Sequence, residues 1–225
     1  MRSDLFTQSR LQDFKDCAYR YLLRYIRHVE NPTILGSPSS EFEDALARGS
    51  TLHRMAERYS SGVSAEAVVT SITDPVVRDW WSRLASMGFS DLPAQRYPEV
   101  TLVAPIAGVQ LSAKIDLLAI GPGNVVIVDW KTSRKTSAAK LEQRLQTKVY
   151  RWVVCNALER AFGVKIPPEH VVMRYWHVAE TSPAVDIAYS QAQLDSDEAD
   201  LARLIKLVQA ESEFKRTSDT QSCQT

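Results

Sequence analysis

Asp129 and Lys131 stand two residues apart in "VVIVDWKTS" (125–133), a strand-forming run that is otherwise apolar. A charge in such a strand must be paired or leave the core. A second carboxylate, Asp116, lies in the preceding run "VQLSAKIDLLAI" (109–120), and "GPGN" between the two runs is a strong turn signal. A symmetric loop pairs Ile120 with Val125, Leu118 with Ile127 and Asp116 with Asp129. The two carboxylates are then cross-strand neighbours, with Cβ atoms about 4.5–5.5 Å apart. Lys131 shares their face because side chains alternate. Ile115, Leu117, Val126, Val128 and Trp130 form an apolar opposite face. Carboxylates that close need a positive partner. Lys131 is one, and a divalent cation that favours hard oxygen ligands, Mg²⁺ or Mn²⁺, is a better one. The hairpin alone fits equally well a surface salt bridge in which Lys131 and Lys114 neutralise two exposed aspartates.

Positioning these groups requires a sheet with helices against it. "YPEVTLVAPI" (97–106) reads as a strand before the hairpin, and "HVVMRYWHVAE" (170–180) and "AVDIAYS" (184–190) as two after it. Helical spacing predicts helices over 9–28 behind a Ser9 cap, 41–60 with an interruption at Gly49, and one or two more over 64–88, the second starting near Asp74–Pro75. A long helix is predicted over 137–162 and an amphipathic one over 191–214, while 31–40 is a loop rich in Pro, Gly and Ser. The expected fold is a single α/β domain over 1–225 with a mixed central β-sheet flanked by helices. Its parts are a helical N-terminal segment (1–90), a sheet and helix (95–190), a C-terminal helix (191–214) and a tail (215–225).

With 225 residues, 44% hydrophobic and 24% charged, composition is that of a globular protein. No run approaches the roughly 18 apolar residues of a membrane span, and "MRSDLFTQSR" has no signal-peptide core, so a cytoplasmic location is expected. Net charge is zero, so any nucleic-acid binding must come from local patches. Between Lys131 and Arg151 there are seven basic residues against Glu142 alone. Lys140, Arg144, Lys148 and Arg151 project roughly opposite Gln146 and Tyr150, as a solvated face would. That leaves Lys131, Arg134 and Lys135 as the better phosphate candidates. Arg10, Lys15, Arg20, Arg24 and Arg27 add charge in the N-terminal helix.

Read in order, the motifs resemble the PD-(D/E)xK nuclease superfamily, and within it the RecB-type branch, with the RecB and AddB nuclease domains and CRISPR-associated exonucleases. "SRLQDFKDCAYRYLLRY" resembles the opening helix of that branch, "GSTLH" its Gly-to-His motif, and "PEV" its glutamate-bearing strand. "AKIDLL" matches the Gly-x-x-Asp element except that Ala113 replaces glycine; "VDWKTS" matches Asp-x-Lys and "QTKVY" matches Gln-x-x-x-Tyr. The resemblance covers nearly the whole chain and implies a restriction-endonuclease-like core.

It further implies that Asp116 and Asp129 bind a metal, with His53 and the backbone carbonyl of Trp130 as further ligands. Lys131 would act on the attacking water or the phosphate. Glu99 would touch metal, orient Lys131, or only pair with a basic neighbour. Gln146 and Tyr150 share a helical face and would position the DNA strand, beside Arg134 and Lys135. Many members of the branch hold an iron–sulfur cluster on four cysteines. Cys17 stands where the first would be and Cys223 could be the second, while Cys155 sits mid-helix. With two plausibly placed thiolates, a cluster is not expected in this chain. The implied activity is Mg²⁺- or Mn²⁺-dependent hydrolysis of phosphodiester bonds in DNA, acting on single strands or ends. Such an exonuclease would serve repair, recombination or CRISPR spacer acquisition, with proteins of those systems as partners. The alternative is a non-catalytic DNA-binding or assembly subunit that keeps the fold.

Overall fold

A computed structural model describes residues 5–29 and 40–217, the side chains of 40–42 apart. The 31–39 part of the Pro/Gly/Ser loop, and Cys223 in the tail, lie outside the described residues. A mixed sheet runs in the order β1 (Leu5–Thr7), β3 (Val109–Ile120), β4 (Val125–Lys131), β5 (Val171–His177), β6 (Val185–Ile187), and β2 (Gln95–Ile106) pairs with β3 off this path. β2 and β3 form an antiparallel hairpin closed at Ala107–Gly108, both at positive φ (48° and 78°), which suits the right-handed twist of the strands it joins.

β2 pairs with β3 along almost its whole length, so β1 and β4 must share the other edge of β3. β1 runs parallel to Gln110–Ser112, and β4 runs antiparallel to Leu117–Ile120. Between these two partners, residues 113–116 of β3 have no strand on that edge among the described residues. This gap is where Asp116 lies.

Each face of the sheet has its own core. On one side α1 (Gln8–Asp16), α7 (Leu145–Phe162) and α8 (Gln191–Ala210) pack on Leu111, Ile115, Leu118, Ile127 and Met173. On the other, α3 (Ser40–Ser60), α4 (Ala65–Val69) and α5 (Pro75–Met87) enclose Leu117, Val126, Val128, Trp130 and Trp176. α5 starts as the sequence predicts: Asp74 Oδ1 accepts from the amides of Val76 (2.8 Å) and Val77 (3.3 Å), and Pro75 takes the first helical position. Replacing such a cap costs about 1 kcal/mol.

Several expectations are corrected. Leu5–Thr7 is a strand inside the segment read as helical. Thr7, not Ser9, caps α1 by accepting from the Arg10 amide. The helix expected over 9–28 breaks at Cys17 into α1 and α2 (Ala18–Tyr21), and α2 continues as a π-turn over Leu22–Ile26. α3 runs unbroken through Gly49, where an added Cβ would meet only Thr132 Oγ1, at 3.8 Å. The helix expected over 137–162 is split into α6 (Ala138–Glu142) and α7, with Arg144 in extended conformation between them. Among the described residues no helix is long and apolar enough to cross a membrane.

Candidate active site

The "GPGN" hairpin has the predicted register at its closed end, Ile120 with Val125 and Leu118 with Ile127. The ladder stops at Leu117–Val128. Beyond it Asp116 Oδ2 accepts the Trp130 amide at 3.0 Å, so a side chain takes the place of the next strand bond. Ile115 packs in the α7-side core and Leu117 in the α3-side core, as does Trp130. Asp116 and Leu117 therefore follow each other off the alternating pattern. Glu99, opposite on β2, has a left-handed backbone (φ 49°) and is absent from the β2–β3 pairing. This irregularity corrects two expectations: that Asp116 pairs with Asp129 across the ladder on one face with Lys131, and that Ile115 shares a face with Leu117. It also turns Glu99 and Asp116 toward α3.

Two clusters result. In the first, ligand atoms of His53 from α3, Glu99 from β2 and Asp116 from β3 all lie within 4.8 Å of one another, each residue half-buried. His53 Nδ1 stands 3.4 Å from Asp116 Oδ1, and Lys114 Nζ 2.7 Å from Glu99 Oε2. The hydrogen bond to Asp116 raises the His53 pKa, against the lowering effect of burial. Two hard carboxylates and one imidazole nitrogen, with ligand atoms this close, form a donor set that fits a divalent cation.

The second cluster lies on the α7 side of β4. Asp129 is buried; its Oδ1 accepts from Gln146 Nε2 at 2.6 Å, and its Oδ2 meets Lys131 Nζ at 2.7 Å as an ion pair. Lys131 Nζ in turn donates to Gln146 Oε1 at 2.9 Å. Asp129 Oδ2 is thus held by the Lys131 ammonium. Burial pushes the Asp129 carboxyl up, the nearby Asp116 charge adds to this, and Lys131 opposes it. Tyr150, one turn beyond Gln146, is buried, and burial raises its hydroxyl pKa. Arg134 and Lys135 are exposed on the loop that follows Lys131.

The sequence singled out every one of these residues but missed three neighbours. Tyr175 and His177 sit beside Asp129 and Lys131 across the β4–β5 ladder. His177 is buried, its Nδ1 lies 3.1 Å from the Ser133 carbonyl, and its Nε2 has no protein partner among the described residues. Thr132 Oγ1 faces Gly49 of α3, 3.8 Å from where a Cβ there would stand. The signal for the first two was present: Met173, Tyr175 and His177 alternate along one strand, and only the last two carry polar atoms.

Most of the other basic residues are engaged elsewhere. Arg151, expected on a solvated face, is buried against α8, donating to the Ala188 carbonyl (2.8 Å) and pairing with Asp197 (3.4 Å). Lys148 pairs with Asp200 at 2.7 Å. In the N-terminal segment Arg20 and Arg24 pair with Asp13, and Arg10 donates to the Leu5 carbonyl. Cys17 is buried at the α1–α2 break and Cys155 is half-buried in α7.

Residues 5–225 match the family model of the PD-(D/E)XK nuclease superfamily. The chain belongs to that superfamily. A crystal structure described as a "Putative exonuclease" from Eubacterium rectale is similar, with TM-score 0.62 and 14% identity, over 98% of this chain and 87% of that one. The crystal structure of SSO0001 aligns over 96% of this chain and 81% of its own, at 13% identity and TM-score 0.44. At such identity the first likeness concerns the fold, a mixed sheet flanked by helices. No curated protein matches the sequence. Superfamily members generally use divalent metals, and the His53–Glu99–Asp116 cluster is a candidate place for one.

Proposed function

We propose that this chain is a single-domain, metal-dependent DNA nuclease of the RecB-type branch, acting as an exonuclease on single strands or ends. The observation that carries the reading is convergence. His53, Glu99 and Asp116, from α3, β2 and β3, and Asp129, Lys131 and Gln146, from β4 and α7, form two clusters joined by the bond from the Trp130 amide to Asp116.

In this reading Asp116, His53 and Glu99 hold the cation, with Asp129 Oδ2 and the Trp130 carbonyl completing its shell. Mg²⁺ or Mn²⁺ bound there would polarise a phosphoryl oxygen and make a water nucleophilic at neutral pH. The Trp130 amide fixes Asp116 so that its Oδ1 faces His53. Lys131 brings a positive charge to the phosphate as negative charge develops on its oxygens, an effect that is strong at a partly buried site. Both ends of the Gln146 amide are taken by Lys131 and Asp129, so Gln146 orients that pair. Tyr150, Arg134 and Lys135 flank it as contacts for the strand, and exposed cations such as these set register more than chemistry. The pathway proposed is repair, recombination or spacer acquisition, in the cytoplasm.

The test is degradation of end-labelled single- and double-stranded DNA with Mg²⁺, Mn²⁺ or EDTA, for the parent, Asp129→Ala and Lys131→Ala. The parent degrades DNA only with metal, and both variants cut about a thousandfold more slowly. Variants that cut as fast as the parent refute the site. DNA binding without cutting under every metal condition would instead favour a non-catalytic subunit.

A further inference from the structure

Lys131 rests on an aromatic floor. Its Nζ lies 5.7 Å from the centroid of the Tyr175 ring, within the reach of a cation–π contact. Tyr175 stands beside Asp129 in the parallel β4–β5 register, so their side chains leave the sheet on the same face. It is fully buried (0%) and follows Val171 and Met173 on that face, where an aliphatic side chain would have filled the core without a hydroxyl to satisfy.

The hydroxyl has a definite use. Thr147 Oγ1 donates to the Leu141 carbonyl at 2.5 Å, and the Tyr175 hydroxyl lies 2.6 Å from the same Oγ1. Thr147 has one hydroxyl hydrogen and it goes to Leu141, so Tyr175 is the donor to Thr147. The chain Tyr175 to Thr147 to Leu141 spans the break between α6 and α7. Gln146 precedes Thr147 in the first turn of α7 and holds both Lys131 and Asp129. One side chain thus supports the ammonium from below with its ring. With its hydroxyl it fixes the turn that grips the ammonium from the side.

We propose that Tyr175 is a positioning residue for Lys131, its ring and its Thr147-linked hydroxyl jointly fixing where the ammonium meets the phosphate. The inference rests on the proposed nuclease function and adds to it a residue outside the recognised motifs. Tyr175 is placed to act on Lys131, directly through its ring and indirectly through the turn that carries Gln146. Removing it therefore lowers kcat and leaves KM unchanged, and most of its effect is lost once Lys131 is gone.

The experiment is a double-mutant cycle on the full chain, measured in single turnover with Mn²⁺ and labelled single-stranded DNA. The proteins are the parent, Tyr175→Leu, Lys131→Met and the double variant, with Tyr175→Phe and Thr147→Val as near-isosteric companions. Residues in contact couple strongly enough that Tyr175→Leu is expected to lower kcat about tenfold in the parent but under about twofold in the Lys131→Met background. Tyr175→Phe and Thr147→Val each lower kcat about threefold, and together no more than either alone. Equal losses in both Lys131 backgrounds, or an unchanged kcat in Tyr175→Leu, overturn the inference while the proposed function stands. If Lys131→Met itself cuts at the parental rate, both fail. Should Tyr175→Leu not fold, Tyr175→Phe takes its place in the cycle, and a loss equal in the two backgrounds is again the refuting result.

Discussion

α7 carries two networks of charged groups within two turns, and they are built differently. At its start Gln146 serves Asp129 and Lys131, near Glu99, Asp116 and Lys114. Further along, Lys148 and Arg151 meet Asp197 and Asp200 of α8, with Tyr189 donating to Asp197 at 3.0 Å and its ring 4.2 Å from the Arg151 guanidinium. In the α8 network each acid has a base, and Arg151 also satisfies a backbone carbonyl. In the other network carboxylates outnumber lysines: Glu99, Asp116 and Asp129 stand against Lys114 and Lys131. A closed network fixes two helices together. An open one, with excess negative charge, is arranged for something that arrives later.

That contrast can be broken most directly by mutation. Asp129→Asn and Lys131→Met should each lower the cleavage rate about a thousandfold, with circular dichroism unchanged. Arg151→Met should do the reverse: it leaves buried Asp197 with only Tyr189 and the more distant Lys148 and costs about 1–3 kcal/mol in urea unfolding, while cleavage per folded molecule is retained. If Arg151→Met proves catalytically dead but stable, the division between the networks is wrong. Metal sharpens the contrast at a smaller scale. Mn²⁺ at a hundredfold excess over its Kd should stabilise the parent by about 2.7 kcal/mol, and Asp116→Asn should remove that gain; a Tm rise that survives Asp116→Asn would place the ion elsewhere.

Acidity gives a finer test. Burial raises the Asp129 carboxyl to about 6 from an ordinary 3.8. The folded state then binds this proton more tightly than the unfolded chain does. Ionised Asp129 therefore destabilises the metal-free protein; the cost is absent below the unfolded value and complete above the folded one. In EDTA the Tm of Asp129→Asn relative to the parent should thus climb as pH rises from near 3.8 to near 6, then level off. A flat difference across that window would mean Lys131 already compensates the charge in full. The smallest expected effect is at Gly49. An added Cβ meets Thr132 Oγ1 at only 3.8 Å, so Gly49→Ala should stabilise α3 by about 0.5–1 kcal/mol, read as a higher urea midpoint.

The two networks were not equally legible in the sequence. The open one was nearly all visible, because its chemistry rests on residue types that are conspicuous in apolar strands, and the "GPGN" turn sets the register of one strand against the other. The reading failed where a period-two pattern was carried through Asp116: it placed Ile115 with Leu117, and nothing in "AKIDLL" signals that the alternation slips there. The closed network was misread as a solvated face. Helical projection shows which residues share a side of α7 but not that α8, some fifty residues later, covers it. The α6–α7 break also went unseen, since Gln143 and Arg144 are ordinary helix formers. Three residues at Leu5–Thr7 were too short a run to show strand periodicity at all.

The divided edge of β3 also has a bearing on how the chain assembles. Leu5 pairs with Gln110, so β1, made before β3, has no template until the β2–β3 hairpin exists. The hairpin closes locally through a two-residue turn and can form as soon as its own residues emerge. Order of synthesis and order of pairing are thus reversed. The N-terminal strand is a latecomer to a sheet already begun, and folding must carry it unpaired through the making of about a hundred residues.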